Sequence, residues 1–150
     1  MVFVGDIGIS KRFYTDVLHQ KIEHDFGANI IFKSGISIWE MDPDHVIARE
    51  LETATKSNRF EIYFETEDIE KIDTHLRDHN VTCFHGVREE SWGQRTIRFF
   101  DPDGHLIEIG ESLPTFVGRM KGTGMTEQEI SAKSSIPIEQ VKALLRRQEK

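Results

Sequence analysis

Two glutamates, Glu61 and Glu108, are the residues of this sequence whose chemistry is most suggestive. Each lies in a short run in which apolar and polar residues alternate, as they do in a strand with one buried face. Both carboxylates fall on the polar faces of their runs. Two adjacent carboxylates bind a cation, share a proton or hold a basic group between them. If the two strands are neighbours, we expect one of these three arrangements.

The same alternation adds Tyr63, Thr96 and Arg98 to this polar face. One interpretation is an ordinary solvated sheet face on which Glu61, Arg98 and Glu108 form cross-strand ion pairs. The other is a site in which the phenol, the hydroxyl and the guanidinium orient a bound molecule. A guanidinium suits an anionic group on such a molecule. The sequence leaves both interpretations open.

The elements that must position these residues occur twice in the same order. A strand, a helix and three strands are predicted over residues 1–41 and again over residues 59–112, where the first strand begins at Phe60, with a polar connector over 42–58. The residues Asp101-Pro102-Asp103-Gly104 suit a type I turn between the last two strands. This internal repeat predicts an α+β fold, in which paired βαβββ modules form a curved mixed sheet with helices on one face. Residues 1–112 would then be one domain, and residues 113–150 a helical C-terminal extension.

The extension has the pattern of a miniature helix-turn-helix. Thr126 and Glu129 have the spacing of a capping box, and Pro137 suits the first turn of a following helix. We expect these helices to dock on the domain or on a second copy of it. A DNA-reading role is the alternative, although the basic residues Lys142 and Arg146 come late in the second helix, whereas recognition helices contact bases near their N-termini.

Charge and composition narrow the classes of partner. Residues 1–118 carry 12 Lys and Arg against 22 Asp and Glu, and residues 119–150 carry 7 against 4, within a formal net charge of −7. The acidic body should repel nucleic acid. No apolar run approaches the roughly 20 residues of a membrane span, and no signal peptide is evident. The single cysteine, Cys83, suits a reducing compartment, so we expect a cytoplasmic protein with no membrane partner.

Two segments resemble the motifs of a known superfamily. The segment from Trp92-Gly93-Gln94-Arg95 through Asp101-Pro102-Asp103-Gly104 to Glu108 resembles the closing motif of vicinal-oxygen-chelate proteins. The opening segment, Val4 to Leu18, is similar to their N-terminal signature. This superfamily includes glyoxalase I, fosfomycin-resistance enzymes, extradiol dioxygenases and bleomycin-binding proteins. The resemblance spans roughly residues 1–112 and implies a glyoxalase-like fold.

The resemblance also implies which positions hold a metal. Family members draw their metal ligands from the first and last strands of each module, which places Glu61 and Glu108 as metal ligands and catalytic residues, and puts Trp39 at a ligand-like position in the first module. Two carboxylates and waters would hold Mg²⁺ or Mn²⁺ weakly. The absence of histidine at these positions argues against a tight Zn²⁺ or Ni²⁺ site.

Three functions remain in competition. The first is an enzyme of the lyase, transferase or dioxygenase type that uses a divalent cation at Glu61 and Glu108 to polarise a small oxygenated substrate. The second is a metal-free binding or antibiotic-sequestering protein with an aromatic cavity from Trp39, Tyr63 and Trp92. The third is a ligand-responsive regulator that acts through the tail. In each case we expect a homodimer, since relatives commonly pair their modules across subunits.

Overall fold

The computed structural model describes residues 1–40 and 61–148 of the chain. The predicted connector at 42–58 lies outside these residues. The chain divides into two compact units, Met1–Glu61 with Phe100–Leu106, and Ile62–Phe99 with Ile107–Lys150. Each unit contains one four-stranded sheet built in the order strand, helix, three strands. The predicted α+β fold with two βαβββ modules is therefore confirmed.

The first unit contains a mixed sheet in which the first and last strands of the module pair in parallel. The strands stand in the order β1-β4-β3-β2, and helix α1 continues without a break into a π-helical segment. The elements are β1 (Val2–Val4), α1 (Ile7–Arg12), the π-helical segment (Phe13–Val17), β2 (Ile22–Asp25), β3 (Asn29–Phe32) and β4 (Ser37–Glu40).

The second unit repeats this topology. Its strands stand in the order β5-β8-β7-β6, and β5 pairs in parallel with β8. The elements are β5 (Ile62–Thr66), α2 (Ile69–Asp78), β6 (Cys83–Glu89), β7 (Arg95–Phe100) and β8 (Leu106–Glu111). The strand predicted from Phe60 begins at Ile62, which leaves Glu61 immediately in front of it.

The same device starts the helix of each module. The Asp6 carboxylate accepts a hydrogen bond from the backbone N–H of Ile9 at 2.8 Å, and the Asp68 carboxylate accepts one from Lys71 at 3.1 Å. An acidic N-cap satisfies an amide that has no partner within the helix and also favours the positive end of the helix dipole. These two aspartates are the local reason why each strand gives way to a helix at the same point in the repeat.

The first unit is completed by the turn that follows β7. Asp103 accepts hydrogen bonds from the Gly5 amide and the Ser10 hydroxyl, both at 2.8 Å. The buried Tyr14 hydroxyl donates to Asp101 at 3.2 Å, and the Tyr14 ring stacks on Phe32. The two aspartates are therefore turn residues, as the sequence suggests, and they also anchor the first helix.

The C-terminal extension forms three helices with a small core of their own. They are α3 (Leu113–Gly122), α4 (Glu127–Ser134) and α5 (Ile138–Gln148). The predicted capping box is present, since Thr126 and Glu129 exchange hydrogen bonds at the start of α4. No helix in the described part of the chain is long and apolar enough to span a membrane. The buried side chains that form the core are Phe116, Val117, Met120, Ile130, Val141 and Leu144.

Candidate functional site

One face of the second sheet collects polar side chains, as strand alternation predicts. Tyr63 on β5 is in register with Glu108 on β8, while Thr96 and Arg98 lie two residues apart on β7. Their strand neighbours Ile97, Phe99 and Ile107 are buried apolar residues. The polar side chains are not freely solvated, however: Thr96 is 0% exposed and Glu108 is 4% exposed. The face is thus a packed polar surface.

Arg98 is the centre of an ion-pair cluster on this face. Its guanidinium contacts the Glu108 carboxylate and lies 2.7 Å from that of Glu90. Thr96 donates its hydroxyl to Glu90 at 3.0 Å, and His85 Nε2 lies 3.2 Å from Arg98 Nη1. The hydrogen bond from Arg98 lowers the pKa of Glu90 below its ordinary value, even though partial burial opposes this. The Arg98 guanidinium therefore already pairs with two carboxylates.

A chain of hydrogen bonds joins two exposed aromatic rings beside this cluster. The Trp92 indole donates to the Gln94 carbonyl at 3.1 Å, and the Gln94 amide donates to the Tyr63 hydroxyl at 2.8 Å. Gln94 also donates to the Glu111 backbone carbonyl at 2.7 Å, which fixes the amide in place. Partial burial raises the pKa of Tyr63 above its ordinary value. We call Trp92, Gln94 and Tyr63 the aromatic–amide chain.

Gly110 makes the close approach of this chain possible. A Cβ on Gly110 would lie 2.8 Å from Gln94 Nε2 and 3.0 Å from the Tyr63 hydroxyl oxygen. Contacts this short between a methyl group and a polar atom are repulsive, so any larger residue would push the amide or the phenol aside. The glycine on β8 therefore determines where the aromatic–amide chain sits.

The predicted metal ligands do not form a donor set that fits a resident metal ion. Glu61 is exposed and directly precedes β5, whereas the Glu108 carboxylate is engaged by Arg98. Within residues 1–40 and 61–148, no group of three or more His, Cys, Asp or Glu side chains could hold a metal. Oxygen-preferring cations need several carboxylate or carbonyl ligands, and a carboxylate neutralised by a guanidinium is a poor one.

The first module presents different chemistry at the matching positions. Trp39 on β4 is in register with Phe3 on β1, and the two rings are 5.7 Å apart. Glu40 accepts a hydrogen bond from the Ile7 amide at 3.1 Å and caps the start of α1, on the same side of β4 as the buried Ile38. Glu40 is thus a structural residue, and a cavity that combines Trp39 with Tyr63 and Trp92 stays a prediction.

Sequence reasoning missed Glu90 as a member of the cluster. It lies in the hairpin between β6 and β7, where strand alternation gives no guide to side-chain direction. The available signal is that Glu90 lies four residues before Gln94, at the other end of the hairpin turn. The Glu90 backbone amide donates to the Gln94 backbone carbonyl at 2.8 Å, which places the Glu90 side chain beside the first residues of β7.

A second buried carboxylate, Glu111, also escaped the sequence analysis. Glu111 is 0% exposed and is held by Arg95 of β7 and Arg119 of α3, each at 2.8 Å. Burial raises its pKa, but the hydrogen bonds from the two guanidiniums outweigh that effect and lower it overall. The tail's Arg119 and Lys133 are both engaged in ion pairs with carboxylates of the same unit, Lys133 with Glu89. Both positive charges are therefore paired with carboxylates of the protein, which does not favour a DNA-reading role for the tail.

Comparison with known proteins gives one family and a set of similar folds. Residues 1–114 match the family model of the glyoxalase-like domain. A crystal structure of a protein of unknown function from Agrobacterium tumefaciens str. C58 is 39% identical, with a TM-score of 0.66, over 74% of this chain and 89% of that one. The match to the family model stops near the start of α3, so the three helices of the tail lie almost entirely beyond it.

Two more distant structures share the fold. A genomically encoded fosfomycin resistance protein from Listeria monocytogenes is 19% identical, with a TM-score of 0.58, over 74% of this chain and 88% of that one. A lactoylglutathione lyase from Agrobacterium tumefaciens is 20% identical, with a TM-score of 0.54, over 74% of this chain and 89% of that one. Identities this low support a common fold and no common reaction.

Proposed function

Because this chain belongs to the glyoxalase-like domain family, we propose that it binds a flat, aromatic, positively charged small molecule on the polar face of its second sheet, without a resident metal ion. The observation that carries the proposal is the pairing of Arg98 with Glu108, the residue expected to be a metal ligand. The guanidinium supplies the positive charge that a divalent cation would otherwise bring to that carboxylate.

Displacing Arg98 with a metal ion would be costly. Its side chain is 15% exposed, and it bridges Glu108 and Glu90, whose side chains alone are 5% and 12% exposed. A metal at Glu108 would leave a buried guanidinium with one partner fewer, and breaking a buried ion pair typically costs about 3–5 kcal/mol. A weakly held Mg²⁺ or Mn²⁺ does not recover that much from two carboxylates.

The aromatic–amide chain supports the choice of ligand. Tyr63 is 43% exposed and Trp92 is 38% exposed, which is high for large rings whose polar atoms are already hydrogen-bonded. Rings held in this way offer faces for stacking at little entropic cost. The Glu65 carboxylate lies 3.4 Å from the Tyr63 hydroxyl. A carboxylate beside an exposed aromatic face favours a cation, through both Coulomb attraction and cation–π contact.

The test is a fluorescence-polarisation titration with proflavine, a planar tricyclic cation, and with the anion 8-anilinonaphthalene-1-sulfonate for comparison. We expect proflavine to bind more tightly than the anion, and Tyr63→Leu or Trp92→Leu to weaken proflavine about fivefold or more. Phe84→Leu is the matched control, since the Phe84 ring is more exposed still, at 69%, but does not belong to the aromatic–amide chain. Equal weakening by all three variants would refute the proposal.

The cation-assisted enzyme is the competing hypothesis, and the same protein tests it. If Mn²⁺ or Mg²⁺ raises the melting temperature of the wild type, and Glu61→Gln combined with Glu108→Gln abolishes the rise, the metal hypothesis replaces ours. We expect no such metal-dependent rise. Sodium chloride at matched ionic strength serves as the control for non-specific ionic effects, because it screens charges without requiring a carboxylate site.

We also propose that the protein is a homodimer, as members of the superfamily commonly are. Sedimentation velocity at micromolar concentration should give a mass near twice 17.4 kDa. A single species of monomer mass at that concentration would refute this part of the proposal.

A further inference from the structure

The hairpin between β6 and β7 carries three side chains of the candidate site. Glu90 reaches Arg98, while Trp92 and Gln94 form two links of the aromatic–amide chain. The turn is tight: the Gly93 amide donates to the Glu90 carbonyl at 2.9 Å, and Gly93 has a φ of 96°. The position of this hairpin therefore determines where the exposed indole of Trp92 and the side-chain amide of Gln94 lie.

The C-terminal tail grips the hairpin on both sides and at its tip. Arg119 of α3 donates to the Gly93 carbonyl at 2.5 Å and lies 3.1 Å from Glu89, the last residue of β6. The same guanidinium holds Glu111, whose carboxylate accepts the backbone N–H of Arg95, the first residue of β7, at 3.0 Å. Lys133 of α4 adds a second contact to Glu89 at 2.6 Å.

Packing reinforces these polar contacts. A Cβ on Gly93 would lie 2.8 Å from Met120 Sδ and 3.4 Å from Lys133 Cε, so the backbone of the hairpin tip is pressed against side chains of α3 and α4. Met120 is itself buried in the core of the tail, which ties the hairpin to the packing of all three helices. Glycine at this position is required both by its φ and by this close approach.

We propose that the tail acts as a clamp that positions the ligand-binding hairpin, with Arg119 as its main positioning residue. The clamp consists of Arg119, Met120 and Lys133. Because these residues lie beyond the stretch that matches the family model, ligand preference in this chain is set partly by an element that the shared domain does not contain. The effect on ligand preference rests on the proposed function, whereas the clamp on the hairpin does not.

The experiment uses the full chain. The protein for the quenching measurement also carries Trp39→Phe, which leaves Trp92 as the only tryptophan, while proflavine affinity is measured with Trp39 in place. Arg119→Lys keeps a positive charge beside the buried Glu111, but a single ammonium cannot reach Glu111, Glu89 and the Gly93 carbonyl together. Arg77→Lys makes the same chemical change on the exposed surface of α2, where Arg77 pairs with Asp73, and serves as the matched control. Acrylamide quenching of Trp92 and proflavine affinity are measured far below the melting temperature.

We expect Arg119→Lys to raise the quenching constant of Trp92 toward that of free tryptophan and to weaken proflavine about threefold to tenfold, with Arg77→Lys changing neither. Unchanged quenching in Arg119→Lys, even with a lower melting temperature, would overturn the clamp, because the arginine would then be only a stabilising residue. If quenching rises but proflavine fails to bind even the wild type, the clamp holds and the proposed ligand class is wrong.

Discussion

The two modules share a topology and differ in what they place on the sheet face away from their buried strand residues. In the first sheet, the face that carries Trp39 also carries Phe3 and Ile31, which are partly buried and apolar. In the second, the corresponding face carries Arg98 and Glu108 in a buried ion-pair cluster. The duplicated backbone thus specifies where side chains point, while the residue types decide which of the two faces carries the ion-pair cluster.

The largest effect that would break this contrast comes from Arg98→Met. Removing the guanidinium leaves the buried Glu108 without its cation and the partly buried Glu90 with Arg88 alone, and we expect a loss of about 3–5 kcal/mol in the free energy of unfolding. Urea denaturation measures it. A paired change, Arg98→Met with Glu108→Leu, should recover much of the loss, because an apolar pair no longer needs compensation. If Arg98→Met lowers the free energy of unfolding by less than about 1 kcal/mol, the cluster contributes no more to stability than a solvent-exposed ion pair.

A smaller effect is expected from Gly110→Ala, which tests how closely the second face is packed. The new methyl group would meet Gln94 and Tyr63, so we expect a loss of about 1–3 kcal/mol and weaker binding of proflavine. Gly86→Ala is the matched control on the edge strand β6, where an added Cβ meets nothing within 4 Å. Equal denaturation midpoints for the two variants would contradict the tight packing around Gly110.

The two units should also respond oppositely to pH. In the first, the hydrogen bond that His105 donates to Asp101 raises the pKa of His105 above its ordinary value of 6.5, so this stabilisation is complete below that value and is lost as pH rises through the raised pKa. In the second, Glu111 has a lowered pKa, so its stabilisation is present above its ordinary value of 4.5 and is lost as pH falls through the lowered pKa.

Melting temperatures across pH 2 to 9 test this opposition. The difference between wild type and His105→Gln should be largest on the acidic side of neutrality and shrink as pH rises, whereas the difference between wild type and Glu111→Gln should be largest near neutrality and shrink as pH falls. If the two differences change with pH in the same direction, the assignment of one of these groups is wrong.

The smallest effect should come from an ion pair of the first module. Lys11 lies 2.6 Å from Asp25, and both side chains are about two-fifths exposed. Solvent screens such pairs, so the denaturation midpoint of Lys11→Met should equal that of the wild type within experimental error. The salt dependence of the midpoint should also be the same in the two proteins. A loss comparable to that of Arg98→Met would erase the distinction between the two modules.

Periodicity and turn chemistry were sufficient to predict the fold. The aspartates at positions 6 and 68 begin equivalent helices, and Asp101 to Gly104 form the expected turn, closed by the Gly104 amide at 3.0 Å. These signals are local, since caps, turns and alternation depend on residues a few positions apart. Strand alternation likewise placed Tyr63, Thr96, Arg98 and Glu108 on one face.

The partners of these side chains were not predictable in the same way. The sequence offered Arg98 two acidic partners, Glu61 and Glu108, and its pairing with Glu90 depends on the geometry of a hairpin. The ionic contacts of Glu111 link β7, β8 and the tail, which no pattern in one segment reveals. Because alternation gives direction but not distance, the metal interpretation and the ion-pair interpretation both stayed open until the side chains were placed.

The turn at Asp101 and Asp103 has a consequence for the growing chain. Gly5 and Ser10 donate hydrogen bonds to Asp103, which follows them in the sequence by 98 and 93 positions, and Tyr14 donates one to Asp101. A ribosome adds about 5–20 residues per second, so the N-terminal module leaves the exit tunnel many seconds before its last polar partners are made. Until then the Gly5 amide and the hydroxyl groups of Ser10 and Tyr14 can donate only to water.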